Sequence, residues 1–183
     1  MLASKLVHYG GIAMGDRAAR SGLSGLRAYF VFMSYSHVLA ATDFSDLGQE
    51  AVLRAAAIAT ATRARLTVLH VVDAPPGLNS AFALYTVNVS ESDREAALAR
   101  VRDALERQLE ALPQVPVART VIARSGHPRD EILDVARSAH VDLIVLGTHG
   151  RHGVSRMLMG SVAEQVVRLA PCDVLAVRAR AAR

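Results

Sequence analysis

Lysine, cysteine and aromatic residues are scarce in this 183-residue chain, and these scarcities exclude several classes of protein. The only lysine is Lys5, so the Walker pattern Gly-x-x-x-x-Gly-Lys-Ser/Thr is absent and strong nucleotide triphosphatase activity has little support. A single cysteine, Cys172, can form neither a disulfide framework nor a metal cluster, which favours a reducing, cytoplasmic compartment. No run of eighteen apolar residues occurs, so we expect no membrane span.

Acidic residues are sparse at the start of the chain, and the net charge of +4 is concentrated there. Residues 1–35 contain four basic residues against one acidic residue, which leaves the remainder nearly neutral. Nucleic-acid binding by the remainder therefore has little support from charge. We interpret residues 1–35 as an N-terminal extension, either disordered or upstream of the true start, with a targeting segment as the alternative. Residues 36–183 are predicted to form the single domain.

Strand and helix patterns alternate through this domain. The apolar residues make up 51% of the chain and are mostly alanine and valine, whereas aromatic residues make up 4%, which suits helices packed on a buried sheet. Apolar strand patterns occur at Val38–Ala41, Leu66–Val72, Val117–Ala123, Leu143–Leu146 and Val174–Val177. The alternation predicts an α/β fold with an open, five-stranded parallel sheet and helices on both faces.

Each predicted helix begins at a recognisable start signal. The first is capped by Ser45 or Asp46, and the third has Pro128 in its first turn. Two capping boxes, Ser92 to Glu95 and Ser161 to Glu164, mark the second and fourth helices.

The stretch between the fourth strand and the fourth helix carries the strongest functional signal. Gly147 and Gly150 follow the strand, and glycine lets backbone N–H groups approach an anion closely. Gly160 and Ser161 begin a helix, whose N-terminal amides and dipole also favour negative charge. Basic side chains lie between them, so the stretch predicts a site for a triphosphate. Taken singly, these residues could be a strand end, a helix cap and solvated bases, and His149 with His152 is a weak metal signal.

The spacing Gly147-x-x-Gly150, nine residues, then Gly160-Ser161 resembles the G-2x-G-9x-G-(S/T) signature of the ATP-binding branch of the universal stress proteins. The resemblance extends from about His37 to Arg178 and includes the segments Val38–Ser45 and Leu69–Asp73. It implies a Rossmann-like sheet of strand order 3-2-1-4-5, similar to that of the adenine nucleotide alpha hydrolases.

The resemblance also implies a ligand, ATP, and the residues that contact it. Asp43 would bind the ribose, and Val71 with Leu146 would line the base region. The remaining contacts would come from the glycine-rich stretch, namely Gly147, His149, Gly150, Arg151, Gly160, Ser161 and Val162. Magnesium would bridge phosphate oxygens, since no dedicated metal cage is present in the sequence.

The expected function is that of an ATP-binding stress-response or signalling module, because no convincing general base for hydrolysis is found. An apolar edge strand is a liability unless it is covered, so Val174–Val177 predicts a homodimer, as the resemblance also implies. The alternative is a nucleotide-independent dimeric interaction module acting on an unknown protein partner. A transferase or dehydrogenase would need a Gly-x-Gly-x-x-Gly turn or a His-x-Gly-His motif, and neither occurs.

Overall fold

A computed structural model describes residues 35–73, 90–116, 118–149 and 159–178. Five strands and four helices alternate in these residues, as the sequence predicts. In chain order they are β1 His37–Ala41, α1 Asp46–Thr62, β2 Arg65–Asp73, α2 Glu91–Glu110, β3 Arg119–Gly126, α3 Pro128–Ser138, β4 Leu143–Gly147, α4 Ser161–Leu169 and β5 Asp173–Val177. None of these helices is long and apolar enough to span a membrane.

The strands form one parallel sheet of order β3-β2-β1-β4-β5, which confirms the predicted architecture. β1 lies at the centre, where Val38 is paired with Leu66 of β2 on one side and Leu143 of β4 on the other. The chain proceeds from β1 to β3 in one direction and then crosses back to β4 and β5. The carboxyl ends of β1 and β4 therefore flank the topological switch point, where open α/β sheets bind ligands.

Helices cover both faces of the sheet, and each face buries its own apolar cluster. α1 and α2 pack on one face, where Val38 and Leu66 meet the alanines of α1 and Leu105 of α2. α3 and α4 pack on the other face, where Leu39 and Ile144 meet residues that include Ile132, Val135 and Val166. Successive residues of a strand point to opposite faces, so burial of both faces explains the uninterrupted apolar runs.

The second helix differs from its predicted start. The structure shows Ser90 as the N-cap, with its Oγ accepting a hydrogen bond of 3.0 Å from the amide of Asp93. The capping box predicted at Ser92 is therefore wrong by two residues. The Ser90 hydroxyl also donates to Asp93 Oδ2 at 2.6 Å. The helix start is therefore stabilised by Ser90 and Asp93, and not by the predicted pair of Ser92 and Glu95.

A buried histidine, His37, begins the central strand β1 at the amino-terminal end of the sheet. Both of its ring nitrogens are hydrogen-bonded. Nδ1 lies 3.0 Å from the carbonyl oxygen of Ala139, and Nε2 lies 2.8 Å from Thr67 Oγ1. Since a carbonyl only accepts, Nδ1 carries the hydrogen and Nε2 accepts from the threonine hydroxyl. Burial lowers the pKa of His37, and Arg65 lowers this pKa further, while the Ala139 bond and Asp142 oppose the shift.

Cys172 lies at the same end of the sheet, half-buried beside two carboxylates. Burial, followed by the charges of Asp142 and Asp173, raises the pKa of the Cys172 thiol to about 11. The thiol is therefore protonated at neutral pH and is a poor nucleophile, which agrees with a packing role.

The neutral state of His37 predicts a pH dependence of stability. The unfolded chain, in which the histidine pKa is about 6.5, binds the proton more tightly than the folded chain does. The contribution of His37 to the free energy of unfolding is therefore fully present above about pH 6.5 and is lost as the pH falls through the lower, folded-state pKa. Urea denaturation of the wild type and His37→Gln across this range should show that the variant loses part of the acid dependence.

The matched control is His140→Asn, because His140 is exposed and has φ 53°, a conformation that asparagine tolerates. This control should keep the wild-type pH dependence. An acid dependence in His37→Gln identical to that of the wild type would contradict the assignment.

Candidate functional site

Three short segments meet at the carboxyl edge of the sheet, beside the switch point between β1 and β4. The first follows β1 and runs through Thr42–Ser45, and the second ends β4 at Gly147–His149. The third is the start of α4, at Gly160 and Ser161. Their positions follow from the strand order, since parallel strands place all their carboxyl ends at one edge.

Thr148 connects the second segment to the third. Its carbonyl oxygen accepts a hydrogen bond of 2.7 Å from the amide of Gly160, and its own amide donates to the Val177 carbonyl at 2.8 Å. Thr148 is 5% exposed. The loop after β4 is therefore fixed between the end of β5 and the start of α4, which brings the two halves of the glycine signature into contact.

Both described glycines of the signature lie where a side chain would be too close to the backbone. A Cβ at Gly147 would lie 3.0 Å from Leu47 Cβ and 3.2 Å from the His149 carbonyl oxygen. A Cβ at Gly160 would lie 3.2 Å from the Thr148 carbonyl oxygen. Glycine is favoured at these positions, because a side chain would require the loop, α1 or α4 to shift by a few tenths of an ångström.

The start of α4 differs from the predicted capping box. Gly160 is the N-cap, without a capping side chain, and Ser161 is the first helical residue and is exposed. The prediction that Ser161 caps its own helix is wrong, because Ser161 is already helical and the helix begins one residue earlier than a Ser161 cap requires. The amides of Ser161, Val162 and Ala163 have no acceptor within the helix, so they form its positive end.

Asp43 follows β1 and forms a tight turn with its neighbours. Asp43 Oδ1 accepts hydrogen bonds from the Ser45 amide at 3.1 Å and the Ser45 hydroxyl at 2.5 Å. Ser45 in turn caps α1 by accepting from the amide of Gly48 at 3.2 Å, which confirms it as the cap. Phe44 has φ 63°, which a bulky residue rarely adopts, so the turn is held in a strained conformation.

Sequence reasoning missed two residues of this turn, Thr42 and Gly48. Thr42 is buried, and its Oγ1 accepts from the amide of Phe44 at 3.1 Å. A Cβ at Gly48 would lie 2.7 Å from both Thr42 Oγ1 and Asp43 Oδ1, so glycine is required there. The signal in the sequence is a glycine in the first turn of a helix, where glycine is otherwise unfavourable.

The apolar residues predicted to line the base region lie on one face of the sheet. Leu146 is 4% exposed and belongs to the cluster beneath α3 and α4, and half-buried Val71 and Val162 pack against the same cluster. His70 points to the other face, as strand alternation requires. Its Nδ1 lies 2.8 Å from the Thr42 carbonyl oxygen, and its ring centroid lies 4.7 Å from that of Phe44.

The remaining predicted contacts are His149, Gly150 and Arg151. His149 Nδ1 lies 3.0 Å from Thr148 Oγ1, and its Nε2 is buried without a hydrogen-bond partner in the described residues. Gly150 and Arg151 lie outside the described residues, as does His152 of the weak histidine pair. Within the described ranges, no group of three His, Cys, Asp or Glu residues could hold a metal ion.

The sequence model of the universal stress protein family matches residues 34–178. The chain belongs to this family. It is 37% identical over 147 residues to universal stress protein A homolog 1 of Coxiella burnetii, an alignment that covers 79% of this chain and 97% of the relative.

Solved structures of universal stress proteins share this fold. One is universal stress protein UspA from Lactobacillus plantarum, with a TM-score of 0.63 and 30% identity over 79% of this chain and 98% of that one. Another, a universal stress protein in complex with cAMP, has a TM-score of 0.53 and 27% identity, over 79% of this chain and 98% of that one. The strand order predicted for a universal stress protein is therefore the order observed.

Proposed function

We propose that this universal stress protein binds ATP, together with Mg²⁺, at the edge where β1, β4 and α4 meet. Family membership supports a stress-response role. We propose in addition that the protein is cytoplasmic and that it binds ATP without hydrolysing it as its main role. The observation that carries it is the 2.7 Å hydrogen bond from the Gly160 amide to the Thr148 carbonyl. This bond brings a glycine-containing loop alongside an uncapped helix start.

The phosphates would be bound mainly by backbone amides. The amides of Ser161, Val162 and Ala163 lack intrahelical acceptors, and no side chain among the described residues caps them. An anion at this position gains hydrogen bonds and the favourable end of the helix dipole. The amide of Gly160 already donates to the Thr148 carbonyl. We therefore propose that Gly160 allows the loop and α4 to approach each other closely, and that the amides of the next three residues contact the phosphates.

The nucleoside would extend from the helix start towards the ends of β1 and β2. Asp43 is half-buried at the end of β1, where a carboxylate can accept hydrogen bonds from ribose hydroxyls. Its Oδ1 also accepts from Ser45, which fixes the orientation of the carboxylate. Half-buried Val71 would provide apolar surface to the base, while Leu146, at 4% exposure, would support that surface from the core.

Magnesium would arrive with the nucleotide. The described residues contain no cluster that could hold a metal ion alone, and Mg²⁺ commonly binds through substrate phosphates with most of its remaining ligands supplied by water. We propose that slow hydrolysis is not the main role, because neither nearby carboxylate is assigned as a general base. Asp43 accepts from Ser45 and is assigned to the ribose, and exposed Glu164 lies in the first turn of α4.

A charge placed at the helix start tests the phosphate site. Ser161→Glu puts a carboxylate in the first turn of α4. The helix dipole stabilises this negative charge, but the charge repels phosphate. We expect calorimetric titration with Mg–ATP to show at least about tenfold weaker binding than for the neutral variant Ser161→Gln. Ser138→Glu, at the exposed far end of α3, is the control and should bind as the wild type does.

Equal affinities in Ser161→Glu and Ser161→Gln would contradict phosphate binding at α4. The same titration should include cAMP, because a structure 27% identical to this chain is a complex with cAMP. A cyclic monophosphate carries one negative charge, so a site built around several amides should prefer ATP. Tighter binding of cAMP than of ATP would make the cyclic nucleotide the better ligand.

We also propose that β5 pairs with a second copy of the chain. β5 is an outer strand of the described sheet and is hydrogen-bonded to β4 on one side. Val174, Leu175 and Ala176 are only half-buried, and no charged residue interrupts them. The opposite edge strand, β3, begins with exposed Arg119 and Thr120, as solvated edges do.

Sedimentation tests the dimer. The wild type should sediment as a dimer at micromolar concentration, and Val174→Lys should shift it to a monomer because an edge lysine opposes strand pairing. Thr120→Lys, on the opposite edge, is the matched control and should remain dimeric. A monomeric wild type would exclude pairing through β5, whereas a dimer without measurable nucleotide binding would favour the alternative of a nucleotide-independent interaction module.

A further inference from the structure

Thr148 is a buried polar residue whose backbone and side chain have separate partners. Its backbone is hydrogen-bonded to Val177 and Gly160, as described above. Its hydroxyl has one partner among the described residues, Nδ1 of His149 at 3.0 Å. The backbone contacts do not depend on the hydroxyl, so the hydroxyl acts on the neighbouring ring.

The other ring nitrogen of His149, Nε2, is unusual because it is a buried polar atom that lacks a hydrogen bond to the described residues. Buried polar atoms are nearly always paired, so an unpaired one requires a specific explanation. His149 directly follows Thr148, whose carbonyl contacts the start of α4, and its Cα would lie 3.6 Å from a Cβ built at Gly160, so the residue lies beside the proposed phosphate site.

Two arrangements of hydrogens satisfy the contact between Thr148 and His149. If Nδ1–H donates to the hydroxyl oxygen, then the hydroxyl hydrogen has no described acceptor and Nε2 is an unpaired acceptor. If the hydroxyl donates to Nδ1, then Nε2 carries the hydrogen and is the one donor left without a partner. The second arrangement leaves fewer unpaired groups, and so it is favoured.

We propose that Thr148 is a positioning residue, whose hydroxyl holds His149 in the neutral tautomer with hydrogen on Nε2, so that the ring donates to a phosphate oxygen of the nucleotide. Phosphate oxygens only accept hydrogen bonds, so a lone pair on Nε2 would repel them. This inference rests on the proposed ATP site and adds a side-chain donor to the backbone amides of α4.

The tautomer is measured first, without ligand. In ¹⁵N-labelled protein, His149 is assigned by the loss of its signals in His149→Phe. The wild type should show a protonated Nε2 and an unprotonated Nδ1, Thr148→Val should lose this preference, and Thr148→Ser should restore it. Valine has the shape of threonine and keeps both backbone contacts, so it removes only the hydroxyl. A wild type protonated on Nδ1, or an unchanged tautomer in Thr148→Val, would overturn the proposal.

The second measurement compares ATP with adenosine, which lacks phosphates. Thr148→Val should weaken Mg–ATP binding about tenfold and leave adenosine binding unchanged. In the His149→Phe background, Thr148→Val should have no further effect, because the hydroxyl acts through the ring. Additive losses, or equal losses for both ligands, would refute the positioning role.

The two measurements separate this inference from the proposed function. If the wild type binds no ATP, the proposed function fails and the phosphate part of the inference fails with it, while the tautomer is still decided by the ligand-free spectra. If the wild type binds ATP but the Nε2 signal does not move on titration, the ATP site stands and the role of His149 is refuted.

Discussion

The hydrogen bond between the Gly160 amide and the Thr148 carbonyl is the contact on which the site depends. At 2.7 Å it fixes the start of α4 against the loop that follows β4. A Cβ at Gly160 would approach the same carbonyl to 3.2 Å, so a larger residue would require the two segments to shift by a few tenths of an ångström. Thr148 is in turn held by the Val177 carbonyl, and the position of the helix start is therefore set by the sheet.

The sheet can serve as this support because both of its faces are buried. The core strands β1 and β4 hold Val38, Leu39, Ile144 and Val145 at 0% exposure, and such strands cannot slip by one residue without exchanging their two apolar faces. The turn after β1 adds a second fixed element, because Asp43 and Gly48 pack too tightly for a side chain at Gly48. Two rigid turns thus face one helix start at the switch point.

Much of this arrangement is predictable from the sequence. Apolar runs separated by helix patterns fix the order of elements, and the family resemblance supplies the strand order. Local contacts are harder to predict. Ser92 looks like the cap of α2, but Ser90 caps this helix through its hydrogen bonds with Asp93. Ser161 likewise looks like a cap, but Gly160, whose amide is bonded to Thr148, is the N-cap of α4. Thr148 is not predictable as a key residue, because its partners Val177 and Gly160 are distant in the sequence.

The central claim is that the first amides of α4 bind the phosphates of ATP, and amide NMR shifts measure this most directly. On titration with Mg–ATP, the amides of Ser161, Val162 and Ala163 should shift most. The start of α3 is the internal reference, since it too has no capping side chain, and the amides of Arg129 and Asp130 should move much less. Equal shifts at both helix starts, or none at α4, would contradict the account.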